Sequence, residues 1–404
     1  MCSFACHNRI ELFYRPKKTR MCSGSILFFG FVVLICIICV ACTSSTPKSA
    51  NSLLISTRNK ALLSTAGLAG AVGLKYGYLN GASFTEDVSM AGKTVVITGA
   101  NTGLGKESAA ALSKMGASCI LLCKSEEKAQ KAIDDIKKVN AMQGMPSDLV
   151  SLPLDLADLY SIENCATQLR KAVRHIDVLM LNAGVMAIPE RRVTRDGFEM
   201  HQGINHLGHF ALAGRLLDLV AACPVGGRVI SVSSAAHLLS KGLPFDDLML
   251  ERPGAYEPWP AYSNSKLSNV LFTRGLARRL AQSSTGGKGE VIASTLHPGV
   301  CRTDLGRYLI DDQTLTSIQS NPYLSALADV AALPFTYFTK TPTQGAQTQI
   351  YLAASSHVTK ETSAGVFFDN NAPAQASPLA DDVGSMDRLW TLSEQLTGVK
   401  YDFS

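Results

Sequence analysis

From Lys93 onward, short β-branched or apolar runs alternate with amphipathic stretches of helical length, and this alternation limits the chain more than any other feature. TVVITG is a first strand, residues 105–116 a helix closed by Gly116, ASCILLC a second strand and residues 125–139 a charged helix. LVSLPLDL, IDVLMLNAG, RVISVSS and EVIASTLHPG follow as strands, with helices over 159–174, near 198–222 and over about 260–282, and GVFFDN near 365–370 is a seventh strand. Strands that are apolar on both faces must be covered on both, and parallel neighbours need a crossover between them. The expected fold is α/β: one Rossmann-type, doubly wound parallel sheet with helices on both faces.

The first 90 residues do not follow this pattern. Residues 1–60 hold eight Lys/Arg against one acid, Glu11, a charge of +7 in a chain whose total is +5, so the remainder carries −2. The basic excess lies beside an apolar run, ILFFGFVVLICIICVAC from Ile26 to Cys42, and does not form a nucleic-acid stripe. At about 1.5 Å per residue such a run nearly crosses a hydrocarbon core of about 30 Å. The expected organisation is a basic segment (1–24), a transmembrane or signal-anchor helix (25–45), a linker (46–90) and a catalytic domain (91–404). A single-pass protein of the endoplasmic reticulum or another organelle membrane follows, with a plastid signal as the alternative address. The positive-inside rule places the amino terminus in the cytosol and the domain across the membrane. Two features oppose that orientation: the chain has no N-x-S/T sequon, and Cys119, Cys123, Cys165, Cys223 and Cys301 are scattered singly, like buried free thiols.

Two constellations carry chemistry. Thr98, Gly99, Asn101, Thr102, Gly103, Leu104 and Gly105 make a Gly-rich turn between the first strand and its helix, where a backbone free of side chains can approach a pyrophosphate at a helix N-terminus. Tyr262 and Lys266 stand at i and i+4, on one helix face, where an ammonium favours the phenolate and draws the Tyr pKa down. Ser233 and Ser234 end the fifth strand, and a hydroxyl there can donate to a carbonyl oxygen, or serve only the turn.

The T-G-x-x-x-G-x-G turn, the Y-x-x-x-K pair and the serine 28 positions before Tyr262 together resemble the short-chain dehydrogenase/reductase family over roughly residues 92–400. TGANTGLGKE, NAGVM, DGFE, NHLGHF, VSSAAH, SKLSNVLFTR, LARRL, HPGV and DRLWTLSEQLTGV are similar to the membrane-anchored retinol dehydrogenase group. The resemblance implies a hydride-transfer enzyme in which Tyr262 is the general acid or base, Ser234 holds the carbonyl oxygen and Lys266 lowers the Tyr pKa and binds ribose. It implies that Asn205 distorts its helix and holds a water in a relay to Lys266. Asn182, Ala183 and Gly184 pass beside the cofactor, with Asn182 supporting the sheet, and Asp155 lies by the adenine. Pro298, Gly299 and Thr303 flank the nicotinamide carboxamide, and the segment after them, apolar from Arg307 to Lys340, closes over substrate. The group also resembles the light-dependent protochlorophyllide reductases, but those carry a Cys just after the lysine where this chain has Leu267-Ser268, which argues against chlorophyll synthesis. A non-catalytic NADP-binding scaffold, the reading of another class, sits poorly with a complete Asn205, Ser234, Tyr262 and Lys266 set.

The turn after the second strand, Cys123-Lys124-Ser125, has no acid to bond a ribose 2′-OH, and Lys124 can pair with a 2′-phosphate, so NADP(H) is expected over NAD(H). The expected partners are a small apolar carbonyl or alcohol, the membrane and a second copy of the chain, and no nucleic acid. His201, His206 and His209 have ligand-like spacing, but no carboxylate or Cys completes a set, so no metal is expected. Cys119 and Cys123 are read as packing residues, and Asp381, Asp382 and Asp387 as a solvated tail surface.

Overall fold

The computed structural model describes Lys75 and residues 79–145, 147–283, 290–303, 305 and 337–403, all within the unit Val72–Ser404. The expected anchor and most of the expected apolar lid lie outside the described residues. Among the described residues no helix is long and apolar enough to cross a membrane.

Eight strands form one sheet: β1 (Thr94–Thr98), β2 (Ser118–Cys123), β3 (Asp148–Pro153), β4 (Val178–Leu181), β5 (Arg228–Val232), β6 (Ile292–His297), β7 (Phe367–Asp369) and β8 (Ala372–Ala374). Their order is β3-β2-β1-β4-β5-β6-β7-β8, parallel except for the last pair. The long helices of the described region are α1 (Gly103–Lys114), α2 (Glu126–Met142), α3 (Leu159–Ala172), α4 (Gly208–Ala221), α5 (Pro258–Gln282), α6 (Gln347–Ala354) and α7 (Val383–Thr397). The order reverses between β1 and β4, and the chain leaves both strands at the same edge, which opens the crevice where such a sheet takes its ligand.

The period-2 pattern of the strands sorts the core into two layers. Val95 and Ile97 pack with Leu112 of α1, Ile133 of α2 and Ile350 of α6, whereas Val96 between them packs with Ile162 of α3, Phe210 of α4 and Leu276 of α5. The sheet is thus covered on both faces, as the apolar runs require.

Two findings go beyond the sequence analysis. β8 was not expected. It pairs antiparallel with β7 through a two-residue turn in which Asn370 and Asn371 have φ of 50° and 61°, the left-handed pair that a hairpin loop demands and that Asn tolerates. Asp381 and Asp382 are exposed and Asp387 half-buried, as a tail surface, and they also have partners: Asp382 caps α7 by accepting from the Ser385 N–H at 2.9 Å, Asp381 pairs with Arg274, and Asp387 accepts from Arg278 and Arg279 at 3.0 and 2.8 Å, which ties α7 to α5. The helix expected near 198–222 is distorted at Asn205, as the resemblance implies: a π-helix at Gln202–Leu207 runs into α4.

The cysteines Cys119 and Cys123 are free, buried thiols in the core layer under α1 and α2, and burial pushes them up to about 12 and about 11. His175, Asp177 and Cys223 gather at the opposite edge of the sheet from the crevice, where Asp177 accepts from Lys93 Nζ at 3.0 Å and the Thr94 N–H at 2.8 Å and ties β1 to β4.

Candidate active site

The site grows from the end of β1. Gly99 and Gly103 take φ of 64° and 55°, a left-handed turn that reverses the chain into α1. A Cβ on Gly105 would lie 2.6 Å from Asn182 Nδ2 and 2.7 Å from Gly99 O, so only glycine lets α1 sit against the turn. The Thr102 side chain makes no cap bond to α1, and the first turn of α1 holds no acid. Amide donors, a helix N-terminus and no negative charge fit a dinucleotide pyrophosphate. Asn101, Thr102, Gly103 and Leu104 are at least partly exposed along this turn.

Thr98, at the end of β1, is fully buried. Its Oγ1 accepts from the Asn182 and Ala183 N–H groups at 2.9 and 3.0 Å and meets His209 Nε2 at 2.9 Å. Asn182 answers with Nδ2 donating to Thr98 O at 2.8 Å, and its Oδ1 accepts from Gln349 Nε2 at 2.9 Å. These bonds lock the ends of β1 and β4 together at the crevice.

The remaining motifs converge on that crevice. A Cβ placed on Gly103 would lie 3.3 Å from Thr303 Cγ2, so the loop of Pro298, Gly299 and Thr303 closes over the Gly-rich turn. One on Gly184 would lie 3.1 Å from Asn205 Oδ1 and 3.5 Å from Lys266 Nζ. Lys124 and Asp155 sit at the other end, beyond β2 and β3, joined by an ion pair of 2.9 Å with the Lys124 side chain 76% exposed. The sequence reading gave these two residues separate tasks and did not foresee that they pair.

Tyr262 and Lys266 share the buried face of α5, as their spacing requires. Tyr262 hydrogen-bonds Ser234, and Lys266 Nζ donates to Val232 O at 3.0 Å and lies 5.8 Å from the Tyr262 ring centre. Lys266 was expected to draw the Tyr262 phenol down, but burial pushes the phenol up to about 12, opposed by the Ser234 bond, and pushes the Lys266 ammonium down to about 8. Desolvation outweighs the partner because Nζ points at a backbone carbonyl rather than at the phenol oxygen.

The two serines divide as two roles. Ser233 Oγ donates to Lys266 O at 2.7 Å and braces α5. Ser234 faces Tyr262, and its carbonyl accepts from His237 Nδ1 at 2.6 Å, while the next N–H, of Ala235, donates to His297 Nδ1 at 3.2 Å.

The π-helix aims Asn205 at the loop after β4. Its Oδ1 accepts from the Val185 N–H at 2.8 Å, and its Nδ2 donates to Val185 O at 3.0 Å and to Ser265 Oγ at 2.9 Å. The side chain is therefore fully engaged, and the Asn205 carbonyl accepts from His209 Nδ1 at 3.0 Å. With Nδ1 carrying the proton and burial pushing the imidazole down to about 4, Nε2 of His209 accepts from Thr98. The three histidines of suspicious spacing prove to be connectors. His209 reaches the cofactor turn, His206 reaches Ser393 of α7 at 2.8 Å, and His201 reaches Ile188 and Glu199. Sequence reasoning missed Glu199, Tyr256 and Gln349. Glu199 lies two residues before His201, close enough to have been considered as its partner; Gln349 comes from 167 residues away and left no local signal.

A Gly-rich turn at the sheet's switch point, facing Ser234 and the buried Tyr262–Lys266 pair, defines a nicotinamide-dinucleotide oxidoreductase. A family model described as short chain dehydrogenase matches residues 93–243. Retinol dehydrogenase 13 of Homo sapiens is 38% identical over 82% of this chain and 93% of its own length, and retinol dehydrogenase 14 of Mus musculus is 37% identical over 77% and 87%. Among solved structures, an uncharacterized protein from Mycobacterium Paratuberculosis has a TM-score of 0.58 at 32% identity over 80% of this chain and all of that one. The RhlG/NADP complex of Pseudomonas aeruginosa shares the fold, with a TM-score of 0.50 at 21% identity over 68% of this chain and 94% of its own. The chain belongs to the short-chain dehydrogenase family and is an NAD(P)-dependent oxidoreductase.

Proposed function

We propose that this enzyme transfers a hydride between NADP(H) and a long apolar aldehyde, ketone or the matching alcohol, retinal-like or lipid-derived, and that it works from a membrane. The observation that carries the reading is the buried Tyr262 phenol, hydrogen-bonded to Ser234 at the crevice. The bound nicotinamide supplies the hydride in reduction and receives it in oxidation. Ser234 donates to the substrate oxygen, and Tyr262 passes its proton to that oxygen as negative charge gathers there. A phenol pushed up to about 12 keeps its proton until it is needed, which suits reduction better than the base role. Lys266, pushed down to about 8, can return a proton near neutral pH, and Asn205 holds the wall beside it.

Gly99, Asn101, Thr102, Gly103, Leu104 and Gly105 would hold the phosphates, Asp155 the adenine end, and Asn182, Ala183, Gly184, Pro298, Gly299 and Thr303 the nicotinamide end. Lys124 would meet the 2′-phosphate, in exchange for its bond to Asp155. Residues 25–45 would anchor the chain, with 46–90 as linker and 91–404 as the catalytic domain.

The apolar substrate is supported by the names of the retinol dehydrogenase relatives and by the rim. Leu238 and Leu239, just beyond Ser234, are 54% and 70% exposed, and Trp259, edge-on to Tyr262 at 6.2 Å, is 48% exposed. No fixed charge among these three would pair with a phosphorylated or carboxylated substrate. The test is an assay with NADPH against retinal and a series of straight-chain aldehydes. kcat/KM should rise with chain length by up to about fourfold for each buried CH₂. A flat series, or faster turnover of charged sugars than of decanal, would overturn the substrate class.

A further inference from the structure

The loop that leaves β4 at the catalytic end of the crevice is strained. Ala187 has φ of +49°, the left-handed region where a Cβ crowds the backbone and which glycine alone enters freely. Val185, Ala187 and Ile188 are all buried. Strain of this kind persists only where the surroundings over-determine it.

The surroundings do so from both sides of Ala187. Asn205 grips Val185 by its N–H and its carbonyl, at 2.8 and 3.0 Å. The Ile188 N–H donates to His201 Nε2 at 3.2 Å, and the Ile188 carbonyl accepts from the Tyr256 hydroxyl at 2.6 Å. His201 is aimed in turn by Glu199, whose Oε1 accepts from its Nδ1 at 2.8 Å and from its N–H at 2.9 Å, while Oε2 accepts from the Gln202 N–H at 2.8 Å. Nδ1 therefore holds the imidazole proton and Nε2 accepts.

The same imidazole packs on two tyrosines. Tyr256 stacks on it at 6.2 Å between ring centres, and Tyr262 meets it edge-on, also at 6.2 Å. Glu199 and His201 are 1% and 0% exposed. Burying a carboxylate is costly unless its oxygens are fully bonded. A helix start needs no buried acid, since an exposed Ser or Asp caps one as well. What the buried Glu199 adds is the orientation of His201.

We infer that Glu199, His201 and Tyr256 are positioning residues that clamp the strained Val185–Ile188 loop and seat the Tyr262 ring for hydride transfer. None of the three needs to touch substrate. The inference rests on the reading of Tyr262 as proton donor, and the measurements separate the two.

The full chain is prepared as wild type, His201→Ala, His201→Gln, Tyr256→Phe, Ala187→Gly and the His201→Ala/Ala187→Gly double variant. Two quantities are read: kcat and KM with NADPH and retinal, per molecule able to bind NADPH, and hydrogen exchange of a peptide spanning 183–190. His201→Ala should lower kcat by about 10-fold or more with KM for NADPH within about twofold, and should speed exchange in the loop. His201→Gln should restore most of both, because an amide can accept from Ile188 and donate to Glu199. Glycine at 187 removes the strain, so the double variant should regain part of the lost kcat; a residue that merely supports the fold would show no such rescue. Tyr256→Phe, which deletes one hydroxyl, gives a milder version of both effects if His201→Ala does not fold. Unchanged loop exchange in His201→Ala and Tyr256→Phe, or kcat within about twofold of wild type in both, overturns the inference. A wild type that reduces no aldehyde refutes the function instead, and the exchange measurement still decides the clamp.

Discussion

At the Gly-rich turn, shape comes from side chains that are missing; at the facing wall of the crevice, it comes from polar side chains that are buried and bonded to one another. Gly99 and Gly103 take left-handed φ, and Gly105 lets a helix and Asn182 meet. Across the crevice, Asn205, His209, Ser233, Lys266 and the Glu199–His201 couple are each bonded to a partner from another part of the fold: Val185, Thr98, the Lys266 carbonyl, the Val232 carbonyl and Ile188. A turn built on glycine tolerates no added atom, whereas a wall built on hydrogen bonds tolerates no lost one. The difference predicts how each half fails.

The largest effect belongs to the wall. Tyr262→Phe removes one hydroxyl and leaves the ring packing, so turnover should fall by at least about 100-fold while NADPH affinity stays nearly intact. Retention of more than about a tenth of wild-type kcat would remove Tyr262 from the chemistry.

Gly105→Ala should show the opposite split. The new Cβ would meet Asn182 Nδ2 at 2.6 Å and Gly99 O at 2.7 Å, so either the turn or α1 must shift. Overpacking of this kind costs about 1–3 kcal/mol. Cofactor affinity and melting temperature should both drop, with kcat of the loaded enzyme much less affected. An alanine variant that binds NADPH as wild type does would break the contrast between the halves.

A smaller effect is expected at the far end of the turn. Lys124→Asp exchanges an attraction for the 2′-phosphate for a repulsion and sets two carboxylates together at the place of the present 2.9 Å pair with Asp155. The NADPH/NADH preference should fall by about 10-fold, or about 1.4 kcal/mol. An unchanged ratio of kcat/KM for the two cofactors would show that Lys124 does not read the phosphate.

The mildest test is acid. His209 is buried and His297 half-buried, and desolvation pushes both down to about 4, against a usual value of 6.5. The unfolded chain therefore binds these protons first. The stability that the two neutral imidazoles contribute is complete above about pH 6.5 and declines as pH falls toward 4. Denaturant midpoints at pH 7 and pH 5 should differ, with the lower value at pH 5. Equal midpoints would mean that the buried histidine network adds no pH dependence in this range.

Much of this architecture could be read from the sequence because it is written at short range. Continuous apolar runs identify the strands, Gly at 99, 103 and 105 marks the turn, and Tyr262 and Lys266 face one way because they are four apart on a helix. Asn370-Asn371 was a readable hairpin signal as well, though β8 was missed. Other features follow from long-range contact. Nothing near Lys124 announces Asp155, 31 positions away, and nothing near Asn182 announces Gln349.

By itself, then, the order of residues determined the sheet, the Gly-rich turn and the shared helix face of Tyr262 and Lys266, since those depend on spacing along one strand or helix. Only the tertiary structure decided their charge states and their attachments. Tyr262 is pushed up to about 12 and Lys266 down to about 8 because both are desolvated, and the degree of desolvation is a property of everything packed around them. The Thr98 hydroxyl is held by two amide donors just after β4 and by a histidine of α4, partners that exist only once the sheet has formed.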